Sequence, residues 1–228
     1  MVYSSYCRLA TAEASQLDKE ARTQVPNYQV CYAESGDGVN WRKPDLDLIP
    51  WQGRGPTNIV FAGKNRAIKG SVIANPDPDD STRRYLMAYS DKDSSGEAAK
   101  RFVASSPDLI HWAKDPACGA TESVSDGGDK LVWDPLSETW YRYIRSRLLA
   151  VDKKSAPALT NVNIKRRKSV MTSKDLKSST FPTSVLFPDE LDPAPNTMDS
   201  WCVFKHGSHF IGILALMNEK SNEGKTDL

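Results

Sequence analysis

The chain has 228 residues, with 30 lysines and arginines against 29 aspartates and glutamates, a formal charge of +1 at neutral pH. A surface so balanced has no long-range field with which to gather nucleic acid or an anionic membrane, so recognition must come from a local site. Apolar residues at 39% and charged residues at 26% are ordinary for a globular chain long enough to bury a core, which excludes disordered and fibrous classes.

No apolar run nears the roughly 20 residues needed to cross a bilayer, and Met1 to Ala10 lacks a charged-then-apolar leader pattern. Neither a membrane nor a nucleic-acid partner is expected. Four cysteines (Cys7, Cys31, Cys118, Cys202) and three histidines (His111, His206, His209) are too few and scattered for a disulfide framework or a structural zinc site. No metal or cofactor is expected, and cysteine usage leaves the compartment open. His206 and His209 flank Gly207-Ser208, which reads as a hairpin tip, with a metal pair as the alternative. Phosphate-loop, dinucleotide, zincin and nucleophile-elbow motifs are absent from the sequence.

Along the chain, Leu9 to Val25 reads either as a short helix or as a long polar loop. From there on, prolines and glycines punctuate short runs rich in Val, Ile, Tyr, Phe and Trp, the pattern of strands. Ser35-Gly-Asp37-Gly-Val-Asn-Trp41 is echoed by Ser106-Pro-Asp108-Leu-Ile-His-Trp112 and, without the aromatic, by Ser173-Lys-Asp175-Leu-Lys-Ser-Ser179. Each echo follows a strand-like run, and its short polar side chains can bond their own backbone to turn the chain. Between the echoes lie hairpin patterns: Ser71 to Asn75 with Arg84 to Ser90, Lys130 to Asp134 with Trp140 to Arg145, and Trp201 to Phe204 with Phe210 to Leu216. Asn58 to Ala62 and Thr183 to Leu186 are candidate fourth strands. Asn75-Pro76 and Asp134-Pro135 are read as turn formers, as are Asp37, Asp108 and Asp175. The basic run Lys165-Arg166-Arg167-Lys168 reads as a solvated strand edge or, less simply, as a phosphate site.

A four-stranded antiparallel unit repeated at this length predicts an all-β chain built as a β-propeller. The strands amount to about three blades, fewer than the roughly four to eight that close a ring, in a single partial domain over 1–228. Approximate blades are 1–63 (incomplete), 64–125, 126–195 and 196–228 (incomplete). A missing segment or an oligomeric partner would complete the ring.

At Ser35 to Trp41 with Lys43-Pro44-Asp45-Leu46, at Lys130 to Trp140 and at Val185 to Pro193, the sequence resembles the five-bladed β-propeller glycosidases of glycoside hydrolase families 32, 43, 62 and 68. The resemblance implies a carbohydrate partner in an axial funnel, and carboxylates just before successive inner strands. Glycosidic cleavage needs one carboxyl group as acid and a second as nucleophile or base. Carried over by position, the resemblance gives Asp129 (with Asp126 nearby) and Asp199 as the catalytic candidates, while Lys69-Gly70 stands where a further acid is expected. Lys69, Trp133 and Trp201 are the substrate-binding candidates, since an indole stacks on the apolar face of a sugar. Inter-blade packing is the other reading of both tryptophans, and turn formation that of both aspartates. The expected function is a carbohydrate-active, glycoside hydrolase-like propeller. The alternatives are a propeller that binds glycan or protein without catalysis, and an inactive structural fragment.

Overall fold

The structure, a computed structural model, describes residues 1–6, 28–50, 56–62, 68–92, 99–115, 118, 121–122, 129–146, 166–187, 189, 191 and 196–218. The segment Leu9 to Val25 and the acid Asp126 lie outside the described residues. Among the described residues the fold is all-β, and the one helical element is a 3-10 turn at Ser81–Arg83. The chain divides into two compact units, Met1–Pro116 and Ala117–Leu228.

The first unit holds two antiparallel sheets. One consists of β1 (Val2–Tyr6), β2 (Tyr28–Tyr32) and β3 (Ile59–Ala62) in that order. The other runs β4 (Ile68–Ala74), β5 (Tyr85–Lys92), β6 (Ala99–Ser106), β7 (Ala113–Lys114). Leu86 through Asp91 of β5 are all buried, as a strand covered on both faces must be. Val30, Val60 and Phe61 pack on Met87, Tyr89, Phe102 and Ala104, with Tyr89 edge-on to Phe61 at 4.9 Å. Burying each large apolar side chain contributes about 1.5 to 3 kcal/mol, and the phenol of Tyr89, desolvated there, is pushed up to about 12.

The second unit contains the short β8 (Thr121–Glu122) and the four-stranded sheet β9 (Lys130–Asp134), β10 (Thr139–Ser146), β11 (Arg167–Ser173), β12 (Thr183–Leu186), ordered β12-β11-β10-β9. It closes with the hairpin β13 (Asn196–His206) and β14 (His209–Asn218). Val132 and Tyr143 of the sheet pack on Trp201 and Val203 of the hairpin, and Tyr143 meets Trp201 edge-on at 4.9 Å. The hairpin tip is a two-residue turn with His206 opposite His209 and Gly207 at φ 58°, the left-handed conformation that glycine adopts without a Cβ clash.

All three expected hairpins form: Ser71 pairs with Ala88, Trp133 with Trp140, and Trp201 with Leu214. Both weak candidate strands are present as β3 and β12. Strand β1 had no sequence signal; it exists because it pairs along the edge of β2.

The three Ser-x-Asp turns share one hydrogen-bond plan. The hydroxyl oxygens of Ser35, Ser106 and Ser173 accept from the amides of Gly38 (2.8 Å), Leu109 (2.9 Å) and Leu176 (2.9 Å). The carboxylates of Asp37, Asp108 and Asp175 accept from the amides of Val39, Ile110 and Lys177, each at 2.9 Å. Gly38, Leu109 and Leu176 sit at φ 76°, 70° and 60°, so the turn imposes a left-handed backbone even on leucine. In the first two copies the indole N–H of Trp41 or Trp112 donates to the carbonyl of Gly38 or Leu109. That bond explains the aromatic at this position, and the third copy dispenses with it.

Candidate functional site

The site lies in the second unit, at the strand ends away from the Ser173 turn. β10 ends there, β11 begins there, and β13 carries a register shift between Met198 and Ser200. Asp199 is the residue taken out of register. A bulge frees a side chain from the ladder and re-aims it, and Asp199 accepts from Arg145 (2.5 Å) and Arg166 (2.8 Å). Lys168 Nζ donates to the main-chain oxygen of Asp199 at 2.7 Å and stands 5.7 Å from the centre of the Trp201 ring, within cation–π range.

Lys168 is fully buried. Burial, followed by the nearby Arg145 guanidinium, drives its ammonium down to about 7, with Asp199 pulling the other way and Arg166 adding to the fall. Desolvation penalises a charged amine, and like charges add to that penalty. The reading of this basic run as a solvated edge is corrected. Arg166 and Lys168 turn inward because a carboxylate and a carbonyl from the neighbouring hairpin meet them. Beside them the hydroxyls of Ser146 and Ser169 share a buried hydrogen bond at 2.5 Å, tying the end of β10 to the start of β11.

Asp129 precedes β9 and is buried, its two oxygens accepting from Nε (2.9 Å) and Nη2 (2.7 Å) of Arg142. The side chains are 1% and 5% exposed respectively, and the fork-to-fork geometry is that of a bidentate pair. Trp133 is half-buried against Trp140 at 5.0 Å. Trp201 is buried, and among the described residues its indole nitrogen has no hydrogen-bond partner. It packs between sheet and hairpin. Lys69 lies in β4, where the pairing with β5 shifts between Ile68 and Ser71; its side chain is outside the described residues.

Asp134 acts as a turn former, accepting from Ser137 and the Leu136 amide. An ion pair with Lys205 at 2.9 Å leads the effects that hold its carboxyl below the usual range. Among the described residues no group of three or more His, Cys, Asp and Glu could hold a metal ion. The structure thus brings Asp199 together with Arg145, Arg166 and Lys168, none of which the sequence singled out as site residues. The basic run itself was the one signal for Arg166 and Lys168, and Arg145 had none.

No protein-family model and no curated protein matches the chain. Among solved structures it is similar to one described as a glycoside hydrolase, with TM-score 0.52 and 13% identity over 86% of this chain and 76% of that one. It is also similar to an N-acetylgalactosamine deacetylase from F. plautii in complex with blood group B trisaccharide. There the TM-score is 0.53 and the identity 13%, over 84% of this chain and 58% of that one. At such identity the likeness is one of fold: this chain has a glycoside hydrolase-like, all-β fold.

Proposed function

We propose that the chain is a carbohydrate-binding protein of β-propeller architecture, with its sheets as successive blades over about 1–63, 64–125, 126–195 and 196–228, and that it holds glycan without hydrolysing it. The observation that carries the second half is the engagement of Asp129. A carboxylate that accepts two bonds from a buried guanidinium has no proton to give, and its oxygens are not aimed at a substrate. Asp199 likewise accepts from two arginines. Hydrolysis needs two carboxyl groups across one sugar ring, and this pair is committed to arginines. The fold likeness to proteins described as a glycoside hydrolase and as a deacetylase bound to a trisaccharide supports carbohydrate as the partner class. Trp133, only partly buried, is the indole that can stack on a sugar ring, and Lys69 is a proposed further contact.

The test is a set of oligosaccharides offered to the purified chain, with binding followed by calorimetry and new reducing ends assayed in the same samples. Binding without release is the expected result. Release that disappears in both Asp129→Asn and Asp199→Asn would establish hydrolysis in its place, and absence of any binding would remove carbohydrate as the partner.

A further inference from the structure

We propose that strand β14 is a self-association edge: two copies of the chain pair antiparallel along it, about a two-fold axis at Ile213, to give one continuous sheet β13-β14-β14-β13. The inference goes beyond the carbohydrate reading and does not depend on it.

The runs β4-β5-β6-β7 and β9-β10-β11-β12 end on short strands, β7 of two residues and β12 of four. The hairpin instead ends on β14, ten residues long, and among the described residues β14 pairs with β13 alone. Its sequence, His209-Phe-Ile-Gly-Ile-Leu-Ala-Leu-Met-Asn218, holds no Lys, Arg, Asp, Glu or Pro, whereas charges, prolines and shortness are what keep a sheet edge from accepting another strand. Three features fit a second copy as the occupant. A neutral apolar strand is matched by itself, since like charges never come to lie opposite one another. Two hairpins side by side make four strands abreast, the number in each of the two longer runs. The ladder is also in phase. His206 and His209 flank a two-residue turn as a hydrogen-bonded pair, so Ile211 and Ile213 direct their main-chain groups to β13, while Phe210, Gly212, Leu214 and Leu216 direct theirs outward. About an axis at Ile213, Gly212 faces the partner's Leu214 and Phe210 faces the partner's Leu216, so outward groups meet outward groups. The side chain of Ile213, 62% exposed, lies on the face away from Leu214, which packs with Trp201 and Val203. There it stands opposite the partner's Ile213, clear of the hairpin's own core.

The experiment is sedimentation equilibrium of the intact chain. An interface one strand long lies at the small end of specific interfaces, so a dimer with a dissociation constant of about 10 μM is expected. Ile213→Lys and, separately, Ile213→Glu set like charges against each other at the axis and should each weaken the dimer at least about tenfold. Each variant is first shown to melt cooperatively near the temperature of the unaltered chain, as substitution of an exposed side chain allows. Mixing the two variants in equal amounts should restore association, because opposite charges then face one another. A chain that stays monomeric up to about 1 mM would overturn the proposal. So would a dimer that keeps its strength in both variants, which places the contact on another surface, or a mixture no more associated than its components, which removes the axis at Ile213. Species that grow past the dimer with concentration would overturn it too, since a two-fold pairing closes on itself.

Discussion

The strands β4-β5-β6-β7 and β9-β10-β11-β12 share one frame and differ at one end of it. In β6 Arg101 stands opposite Ser90, and in β11 Lys168 stands opposite Arg145; both β6 and β11 then run into a Ser-x-Asp turn of the same hydrogen-bond plan. Arg101 and Lys168 are both fully buried. In the first unit Arg101 Nη1 lies 3.4 Å from the Ser90 hydroxyl. In the second the buried amine faces another cation, and a carboxylate is brought to the pair by the bulge in β13. The irregular stretch of β4 in the first unit carries Lys69-Gly70 and no acid. The turn end of the frame is thus a structural constant, while the opposite end is where the charged side chains differ between the two.

The largest expected effect concerns the buried pair. Asp129→Ala or Arg142→Ala should each cost about 3 to 5 kcal/mol by urea unfolding, because each breaks a buried, bidentate ion pair by removing one partner. Replacing both by apolar residues, Asp129→Leu with Arg142→Met, should recover most of that loss. If the single variants cost under about 1 kcal/mol, the pair is not the commitment that removes Asp129 from catalysis.

Next comes the contrast between the two buried cations. The amine of Lys168 is held well below its ordinary 10.5, at about 7, so between these values the unfolded chain binds a proton that the folded chain does not. Stability should therefore rise with pH across that window, by at most about 1.4 kcal/mol for each pH unit crossed. Lys168→Met should remove the rise. Arg101→Met should leave it intact, since a guanidinium does not titrate there. Melting temperatures measured from pH 6 to 10 on the three proteins decide this, and a rise that persists in Lys168→Met would refute the assignment.

A smaller effect sharpens the claim that the turns are equivalent. Ser106→Ala and Ser173→Ala should each cost about 1 kcal/mol, the worth of a buried hydrogen bond, and should match one another in denaturant titrations. The carboxyl groups of Asp37, Asp108 and Asp175 are all held below the usual range, by backbone and side-chain donors in the turn for Asp37 and chiefly by such donors, against desolvation, for the other two. Their contribution is present above the unfolded value near 3.8 and lost as pH falls below it. Smallest of all, Gly38→Ala should cost up to about 1 kcal/mol, the penalty of a Cβ at a left-handed residue.

Much of the strand plan was legible in the sequence because a turn is a local device. Ser-x-Asp bonds its own backbone, and Asn75-Pro76, Asp134-Pro135 and Gly207 stop strands with groups lying within a few residues. Alternating Tyr, Val and Ile around them marked the hairpins. Strand β1 was not legible, since its pairing with β2 joins segments far apart in the chain.

The site was legible only in part. Sequence pattern placed Asp129 and Asp199 just ahead of strands; Asp129 does precede β9, whereas Asp199 lies within β13. What each aspartate does depends on cations from other strands: Arg142 from β10 for Asp129, Arg145 and Arg166 for Asp199. No local pattern encodes such a pairing, because it arises only when β10, β11 and the β13–β14 hairpin pack together. The amino-acid sequence by itself therefore determined the turns and strands, whose bonds are short in range. Tertiary structure alone decided which charges meet and which are desolvated.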